Sequence, residues 1–222
     1  MVIQSIDVNM QFKQSLNETD PVLAFPPITV KSGELHCVLG ESGCGKSTLL
    51  NILVGLLKPT KGRVLWDGKD VYGRMKVPEK NLYLSDKIGY MMQSSSLLGS
   101  LTIKENIVST ADLRRKQVSE EEVDTLLEEL DIRRIKNSYP SRISGGEYRR
   151  AMLARTIIMK PDIIVADEPT GNLDKHSAAK VRELLIKYKN KGNAVIVATH
   201  DLCFIKEQVI LHELSPLNPP IV

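Results

Sequence analysis

Short apolar runs separated by turn residues predict several strands in the first third of the chain. Apolar residues occupy five of the six even positions from residue 2 to residue 12, and this alternation predicts a half-buried strand. They are Val2, Ile6, Val8, Met10 and Phe12. Pro27–Val30 predicts a second strand, and Leu35–Leu39 predicts a short central strand that is buried on both faces. Residues 63–71 predict a hairpin with Asp67-Gly68 as its two-residue turn.

Helical and strand patterns alternate over the rest of the chain. Lys46–Leu57 predicts an apolar helix that stops before Pro59, and residues 95–160 predict a mostly helical region. Two later strands are predicted at Ile163–Ala166 and Ala194–Thr199, with a helix at about 177–189 between them. Strands that alternate with helices are typical of a parallel sheet with crossover connections. We therefore expect an α/β fold, with a loose proline-rich tail at about 215–222.

Length and composition narrow the class of protein. The 222 residues suit a single domain, and the longest nearly apolar stretch is too short to cross a bilayer. A net charge of +3, from interleaved acidic and basic residues, gives no reason to expect a nucleic-acid partner. Three scattered cysteines fit a reducing cytoplasm, and no secretory signal is visible at the start. We therefore expect a cytoplasmic protein.

A glycine-rich segment follows the predicted central strand and opens the first predicted helix. It fits the phosphate-binding pattern G-x-x-x-x-G-K-[ST]. Its residues are Gly40, Glu41, Ser42, Gly43, Cys44, Gly45, Lys46, Ser47 and Thr48. The glycines allow backbone N–H groups to surround phosphates, Lys46 can neutralise the outer phosphates, and the Ser47 hydroxyl can bind Mg²⁺. An ordinary glycine turn is the alternative, and the strand and helix on either side argue against it.

Two further strands end in residues suited to nucleotide hydrolysis. The apolar run before Asp167 and Glu168 predicts a buried strand that carries both carboxylates to the sheet edge where ligands bind. Asp167 is placed to hold Mg²⁺, and Glu168 is placed to polarise the attacking water. His200 follows the last predicted strand and would reach the same edge, near the terminal phosphate. Alone, two acids could be a helix cap and one histidine could be structural.

The segment Ile143-Ser-Gly-Gly-Glu147 predicts a second anion-binding helix start. Ser144 and Glu147 form a capping box around Gly145 and Gly146, and the helix that follows is predicted to run to Lys160. Free amides and a hydroxyl at a helix N-terminus attract anions. One phosphate-binding domain does not need two phosphate sites for one nucleotide. We therefore expect this site to serve the nucleotide of another copy.

Together these segments resemble the ATP-binding cassettes of the ABC family over almost the whole chain. GESGCGKST is similar to Walker A, IIVADE to Walker B with the catalytic glutamate, and ISGGE to the LSGGQ signature. Asp174 resembles the aspartate of the D-loop, and His200 resembles the switch histidine. Gln93 stands where the Q-loop glutamine binds Mg²⁺ and water. Phe12 is the candidate for stacking on adenine, with Phe25 as the alternative because an insertion near Asn17–Asp20 obscures the alignment.

The resemblance implies an architecture and a set of partners. The fold would be a P-loop NTPase core with a mostly parallel sheet, an N-terminal antiparallel β subdomain and a helical subdomain at about 95–160. Cofactors would be ATP and Mg²⁺, and the working form would be a head-to-tail dimer with ATP between Walker A of one copy and the signature of the other. Separate membrane permease subunits would hold the chain at the inner face of the cell membrane.

The resemblance also suggests a branch and leaves alternatives open. ADEPTGNLD and SGGE resemble the ATPases of lipoprotein-release, macrolide or peptide efflux and cell-division systems. Export or extraction of a peptide, lipid-linked or drug-like substrate is one expectation, and a membrane signalling complex without transport is the other. A soluble ABC protein acting on DNA or ribosomes fits less well, and a P-loop kinase or GTPase has no use for SGGE. Ile143 and Tyr148 depart from the usual residues around the signature.

Overall fold

The computed structural model describes residues 1–12, 22–94, 96–114, 116–171, 173–206 and 208–215. The predicted insertion at Asn17–Asp20 lies outside these residues, and so does the predicted tail from residue 216 onward.

An antiparallel sheet is formed by the N-terminal part of the chain. Its path runs β2-β1-β5-β6, with β3 pairing to β1. The strands are β1 (Ile3–Gln11), β2 (Val22–Ala24), β3 (Ile28–Val30), β5 (Lys61–Trp66) and β6 (Lys69–Asp70). The predicted hairpin is present between β5 and β6, where Asp67 (φ 47°) and Gly68 (φ 81°) both adopt the left-handed conformation of a type I′ turn.

The prediction of which side chains of β1 are buried is wrong for the first half of the strand. Ile3 and Ser5 are buried there, while Val2 and Ile6 are only partly buried. The register with β5 shifts between Ile6 and Asn9, and Asp7 within this bulge has φ 49°. A bulge inserts one residue and so reverses the alternation. Val8 and Met10 beyond it are buried as predicted.

A second sheet is entirely parallel and carries the candidate site. Its order is β10-β4-β9-β8-β7. The strands are β4 (Leu35–Leu39), β7 (Ile88–Met91), β8 (Ile163–Asp167), β9 (Ala194–Thr199) and β10 (Ile210–Glu213). Because β4, β8 and β9 are neighbours running in one direction, their carboxyl ends meet at the same edge. The α/β fold with one parallel and one antiparallel sheet is thus confirmed.

The helices connect and cover these sheets. They are α1 (Lys46–Leu53), α2 (Val77–Leu82), α3 (Ile103–Asp112), α4 (Glu120–Glu129), α5 (Gly145–Ile157) and α6 (Lys175–Asn190). A π-helical segment, Tyr83–Lys87, continues α2, and short 3-10 turns lie at Arg133–Ile135, Pro140–Arg142 and Leu202–Lys206. Among the described residues, none of these helices has the length and apolarity that a bilayer crossing requires.

Two helices are shorter than the sequence pattern predicts. Helix α1 ends at Leu53, because Gly55 takes φ +77° and turns the chain before Pro59 is reached. Helix α5 ends at Ile157, and Lys160 has φ 51°. The short elements β2, α2 and β10 were not predicted.

The apolar core lies on both faces of the parallel sheet. One cluster joins the sheet to α3, α4, α5 and α6. The other joins its opposite face to α1 and the antiparallel sheet. The central strands β8 and β9 are buried along their whole length. This packing fixes the strand ends that carry the polar candidate residues.

Candidate active site

The glycine-rich loop joins β4 to α1 in a conformation that depends on glycine. Gly43 has φ +86°, and Gly45, the residue before the first helical residue, has φ +98°. A β-carbon on Gly45 would also lie 3.0 Å from the Leu23 side chain. This left-handed backbone is strained for other residues, and it lets the loop amides converge at the start of α1.

Lys46 lies at the floor of this loop and is 7% exposed. Its Nζ donates hydrogen bonds to the carbonyl oxygens of Gly40, at 2.7 Å, and Glu41, at 3.0 Å. The same ammonium lies 3.7 Å from Glu168 Oε1. One cation therefore links the loop to the end of β8.

Asp167 ends β8 as a buried carboxylate with spare acceptor capacity. It is 2% exposed, and its Oδ1 has no hydrogen-bond partner among the described residues. Burial raises the pKa of Asp167, while a hydrogen bond with the Ser47 side chain lowers it. Mg²⁺ binds one or two protein oxygens together with phosphate oxygens. An unpaired carboxylate oxygen beside a serine hydroxyl fits such an ion.

Glu168 is held in place from several sides. It adopts φ 50°, and its amide donates to the Ala198 carbonyl at 2.8 Å. Its Oε2 accepts from the Thr199 hydroxyl at 3.2 Å. His200 Nδ1 lies 3.1 Å from Oε1 and 3.0 Å from Oε2, so Nδ1 carries the proton that this contact needs. The carboxylate is thereby oriented as a proton acceptor from water must be.

A cavity of about 700 Å³ opens over these groups. It is lined by Glu41, Ser42, Gly43, Gly45, Lys46, Ser47, Thr48, Gln93, Arg149, Asp167, Glu168, Gly171 and His200. Most of the residues predicted for the phosphate loop, Walker B, the Q-loop and the switch histidine thus meet in one place. Gly40 and Cys44 do not line the cavity. Cys44 is 3% exposed, and a β-carbon on Gly40 would meet its sulfur at 2.4 Å.

Gln93 lies just beyond the end of β7 and bounds two spaces. Besides the main cavity it lines a neighbouring pocket of about 210 Å³, together with Ser47, Asn51, Tyr90, Met92, Ser94 and Asp167. Gln93 therefore borders the same two spaces as Ser47 and Asp167, whose oxygens suit Mg²⁺.

The signature residues form a separate cluster at the start of α5. The Ser144 amide donates to Glu147 Oε2 at 2.8 Å and the Ser144 hydroxyl accepts from the Glu147 amide at 3.3 Å, which completes the predicted capping box. Glu147 is also paired with Arg134 at 2.7 Å. A β-carbon on Gly145 would meet nothing within 4 Å, whereas one on Gly146 would approach Ser177.

Asp174 belongs to this second cluster. It caps α6 by accepting a hydrogen bond from the Ser177 amide at 3.0 Å, and it lies close to Gly146. Neither Asp174 nor any residue of Ser144–Glu147 lines the main cavity. The fold of one chain therefore keeps the two candidate phosphate sites apart.

The two aromatic candidates differ in exposure. Phe12 follows β1 and is 41% exposed, but it does not line the cavity. Phe25 is 6% exposed and packs near Gly45, beneath the phosphate loop. A buried ring offers no free face to a base, so Phe12 remains the better candidate for adenine.

Three residues of the site were not foreseen. Thr199 supports Glu168, and Arg149 and Gly171 line the cavity. The predicted strand before His200 already ended at Thr199, so the sequence placed Thr199 at the sheet edge. Arg149 lies in the helix behind the signature, and a linear motif does not show which way its side chain turns.

Comparison with known proteins identifies the family of this chain. Residues 27–171 match the sequence model of the ABC transporter family. The chain belongs to this family. ABC transporter ATP-binding protein YtrE of Bacillus subtilis is 36% identical over 90% of the chain and 87% of the relative. Lipoprotein-releasing system ATP-binding protein LolD of Bdellovibrio bacteriovorus is 32% identical over 91% of the chain and 92% of the relative.

A solved structure shows the same fold. The dimeric ABC transporter cassette MJ0796, described as bacterial, superimposes with a TM-score of 0.82 at 30% identity, over 97% of this chain and 96% of that one. A second structure of that cassette is a dimeric post-hydrolysis state bound to ADP and Pi. The present chain is accordingly an ABC ATPase subunit that binds and hydrolyses ATP.

Proposed function

We propose that this cassette works as a head-to-tail dimer that closes around two ATP molecules. Support comes from the separation of the two candidate phosphate sites within one chain. The cavity residues cluster around Lys46, whereas Gly145 presents an open helix start elsewhere. A second copy, rotated by a two-fold axis, would place its Gly145 over the first copy's cavity and the reverse.

Within each half of the dimer the residues take distinct roles. The amides of Glu41–Thr48 and the Lys46 ammonium bind the phosphates, and the Ser144 hydroxyl with the Gly145 and Gly146 amides of the other copy approaches from the opposite side. Asp174 and Glu147 brace that second surface. Phe12 is placed to stack on adenine.

Ser47, Gln93 and Asp167 would hold Mg²⁺, which supplies charge neutralisation between the outer phosphates when bound. Glu168 accepts the proton of the attacking water. His200 holds the Glu168 carboxylate through Nδ1 and leaves its other ring nitrogen free for the terminal phosphate.

We further propose that hydrolysis powers a transporter whose membrane subunits are separate polypeptides, with the cassette at the inner face of the cell membrane. The relatives named for lipoprotein release, and the bacitracin export ATP-binding protein BceA of Halalkalibacterium halodurans (36% identical over 90% of this chain and 79% of the relative), support export or extraction of a lipid-linked, peptide or drug-like substrate. Cell division ATP-binding protein FtsE of Bacillus subtilis is 37% identical over 78% of the chain and 76% of the relative, which supports a signalling complex as the second candidate.

Capture of the membrane partner tests this proposal. Tagged Glu168→Gln would be recovered from detergent-solubilised membranes of the native host with MgATP, and Lys46→Ala would serve as the matched control. We expect a polytopic membrane protein with Glu168→Gln only. Sequencing that partner separates a transporter from a signalling complex. Recovery of soluble protein or nucleic acid alone would contradict the membrane role.

A further inference from the structure

Arg149 lines the nucleotide cavity although it belongs to α5, the helix that begins with the signature residues. It is the fifth residue of α5, whose first turn carries the signature. Its side chain is half-buried and lines the cavity with Asp167, Glu168 and His200. A β-carbon on Gly171 would lie 3.6 Å from Nη2, so the guanidinium lies against the backbone that follows Glu168.

Within the described part of the chain, the Arg149 guanidinium has no fixed partner although its side chain is half-buried. Across the described ranges it makes neither a hydrogen bond nor an ion pair. By contrast, Arg155 Nη1 donates to the Ser96 carbonyl at 3.0 Å, and Arg134 pairs with Glu147 at 2.7 Å. Burial lowers the pKa of Arg149, while the nearby charges of Asp167 and Glu168 raise it.

A partly desolvated cation without a partner is unfavourable unless an anion approaches it. Two carboxylates lie in the neighbourhood, but neither is bonded to the guanidinium: Asp167 leaves Oδ1 unpaired, and Glu168 is bonded to Thr199 and His200. The five N–H donors of an arginine suit phosphate oxygens better than a single ammonium does.

Position within the cavity indicates which phosphate is contacted. The loop amides and Lys46 form one wall, at the start of α1, where the inner phosphates would lie. Arg149 lies against the backbone at Gly171 and lines the cavity with Glu168 and His200, the groups proposed to surround the attacking water. A cation beside those groups would lie near the end of the phosphate chain.

We propose that Arg149 binds the terminal phosphate of the ATP held by its own chain and makes the cavity prefer ATP over ADP. This inference rests on the proposed nucleotide site. Arg149 supplies a second cation to the cavity in addition to Lys46, from the same subunit that carries the phosphate loop.

Equilibrium titration of the full-length chain with ATP and with ADP tests the inference. Measurements in EDTA prevent hydrolysis and remove any contribution from Mg²⁺. We expect Arg149→Gln to lower the affinity for ATP roughly 10-fold or more, which is the effect of losing one charge-assisted hydrogen bond. The affinity for ADP should change by less than about twofold. Arg149→Lys should recover part of the preference, because it keeps the charge without the planar fork.

Arg155→Gln is the matched control, because Arg155 belongs to the same helix but does not line the cavity. The affinities of this control for ATP and for ADP should equal those of the parent chain. Thermal melting of each variant checks folding, and Arg149→Met, which keeps an aliphatic stem, replaces the glutamine variant if that one unfolds. An unchanged ratio of ATP to ADP affinity in Arg149→Gln, whether both affinities fall equally or neither falls, would overturn the inference.

The same titration separates this inference from the nucleotide site itself. If Lys46→Ala loses both nucleotides while Arg149→Gln keeps the full preference for ATP, only the role of Arg149 fails. If Lys46→Ala binds both as tightly as the parent chain does, the proposed site fails as well.

Discussion

At the scale of single residues, the site depends on electrostatic interactions among a few buried charges. Lys46 lies between two loop carbonyls and Glu168, and Asp167 keeps an unpaired oxygen in a place that is almost free of solvent. Such groups interact strongly because little water screens them. Removing one charge should therefore change binding far more than it changes folding.

Lys46→Ala should abolish measurable nucleotide affinity, with a loss of about 100-fold or more, because the main cation for the phosphates is removed. Titration with ATP measures the loss. Lys58→Ala, a change at an exposed lysine beyond α1, is the matched control and should bind normally. Unchanged ATP binding by Lys46→Ala would contradict the phosphate-loop assignment.

Residue positions could be predicted from sequence where a motif fixes the backbone around them. Glycine spacing identified the loop at Gly40–Thr48, and the apolar strand before Asp167 placed both carboxylates at the sheet edge. Arg149 could not be found in this way, because its access to the cavity depends on how α5 is rotated against the parallel sheet. That rotation is set by packing over many residues.

At the scale of elements, the ends of helices and strands carry the chemistry. Helix α5 begins with a complete capping box, yet Gly145 beside it faces open space. A glycine at that point is not needed for packing within the chain. The open space is where we expect the phosphates of the second copy's ATP.

Gly145→Ala should leave the free energy of unfolding within about 1 kcal/mol of the parent value, because alanine is well tolerated in a first helical turn. It should weaken ATP-dependent dimerisation by roughly 10-fold or more, since a β-carbon blocks close approach of phosphates to the amides. Light scattering at several protein concentrations measures this. Gly99→Ala, at another glycine with open space around it, is the control. Normal dimerisation of Gly145→Ala would argue against the composite site.

Two adjacent strands of the parallel sheet carry a histidine pair that predicts sensitivity to acid. His36 Nδ1 and His212 Nε2 lie 2.9 Å apart, and His36 Nε2 lies 3.1 Å from Glu34 Oε2. Burial lowers the pKa of His36 and lowers the pKa of His212 to about 4, with the charge of His36 also lowering the latter. An ordinary histidine takes up its proton near pH 6.5.

Between pH 6.5 and about 4 the unfolded chain therefore binds more protons at His212 than the folded chain, and acid lowers stability. We expect His212 to account for about 2 kcal/mol of the free energy of unfolding lost between pH 7 and pH 5. Urea unfolding of His212→Gln should show a smaller loss over this range than the parent chain. His176→Gln, at an exposed histidine, should lose as much as the parent. Equal losses in all three proteins would refute the prediction.

Element prediction succeeded where periodicity was long or bounded by clear turns. The Asp67-Gly68 hairpin and the strands β4, β8 and β9 lie where expected. The alternation of β1 failed at Asp7, because a bulge depends on pairing with β5 and not on local pattern. The edge strands β2 and β10 are mostly exposed, so they carry no clear apolar pattern by which the sequence could identify them.

At the scale of the whole molecule, the proposed dimer assigns to each chain two separate halves of a composite catalytic site. The cavity around Lys46 holds the groups for phosphate binding and water activation. The start of α5 and Asp174 lie outside that cavity and would form the complementary surface. This division was predictable in outline, since one nucleotide does not need both sites. The distance between them required the folded structure.

Oligomeric state of Glu168→Gln with MgATP is the most direct test of this account. Loss of the proton acceptor should stop hydrolysis while the contacts to ATP remain, so the variant should accumulate as a dimer with two ATP per dimer. Size-exclusion chromatography with light scattering measures the mass, and nucleotide analysis of the peak gives the content. Glu168→Gln combined with Gly145→Ala should stay monomeric. Hydrolysis by Glu168→Gln at the parent rate, or a monomer saturated with ATP, would contradict the composite active site.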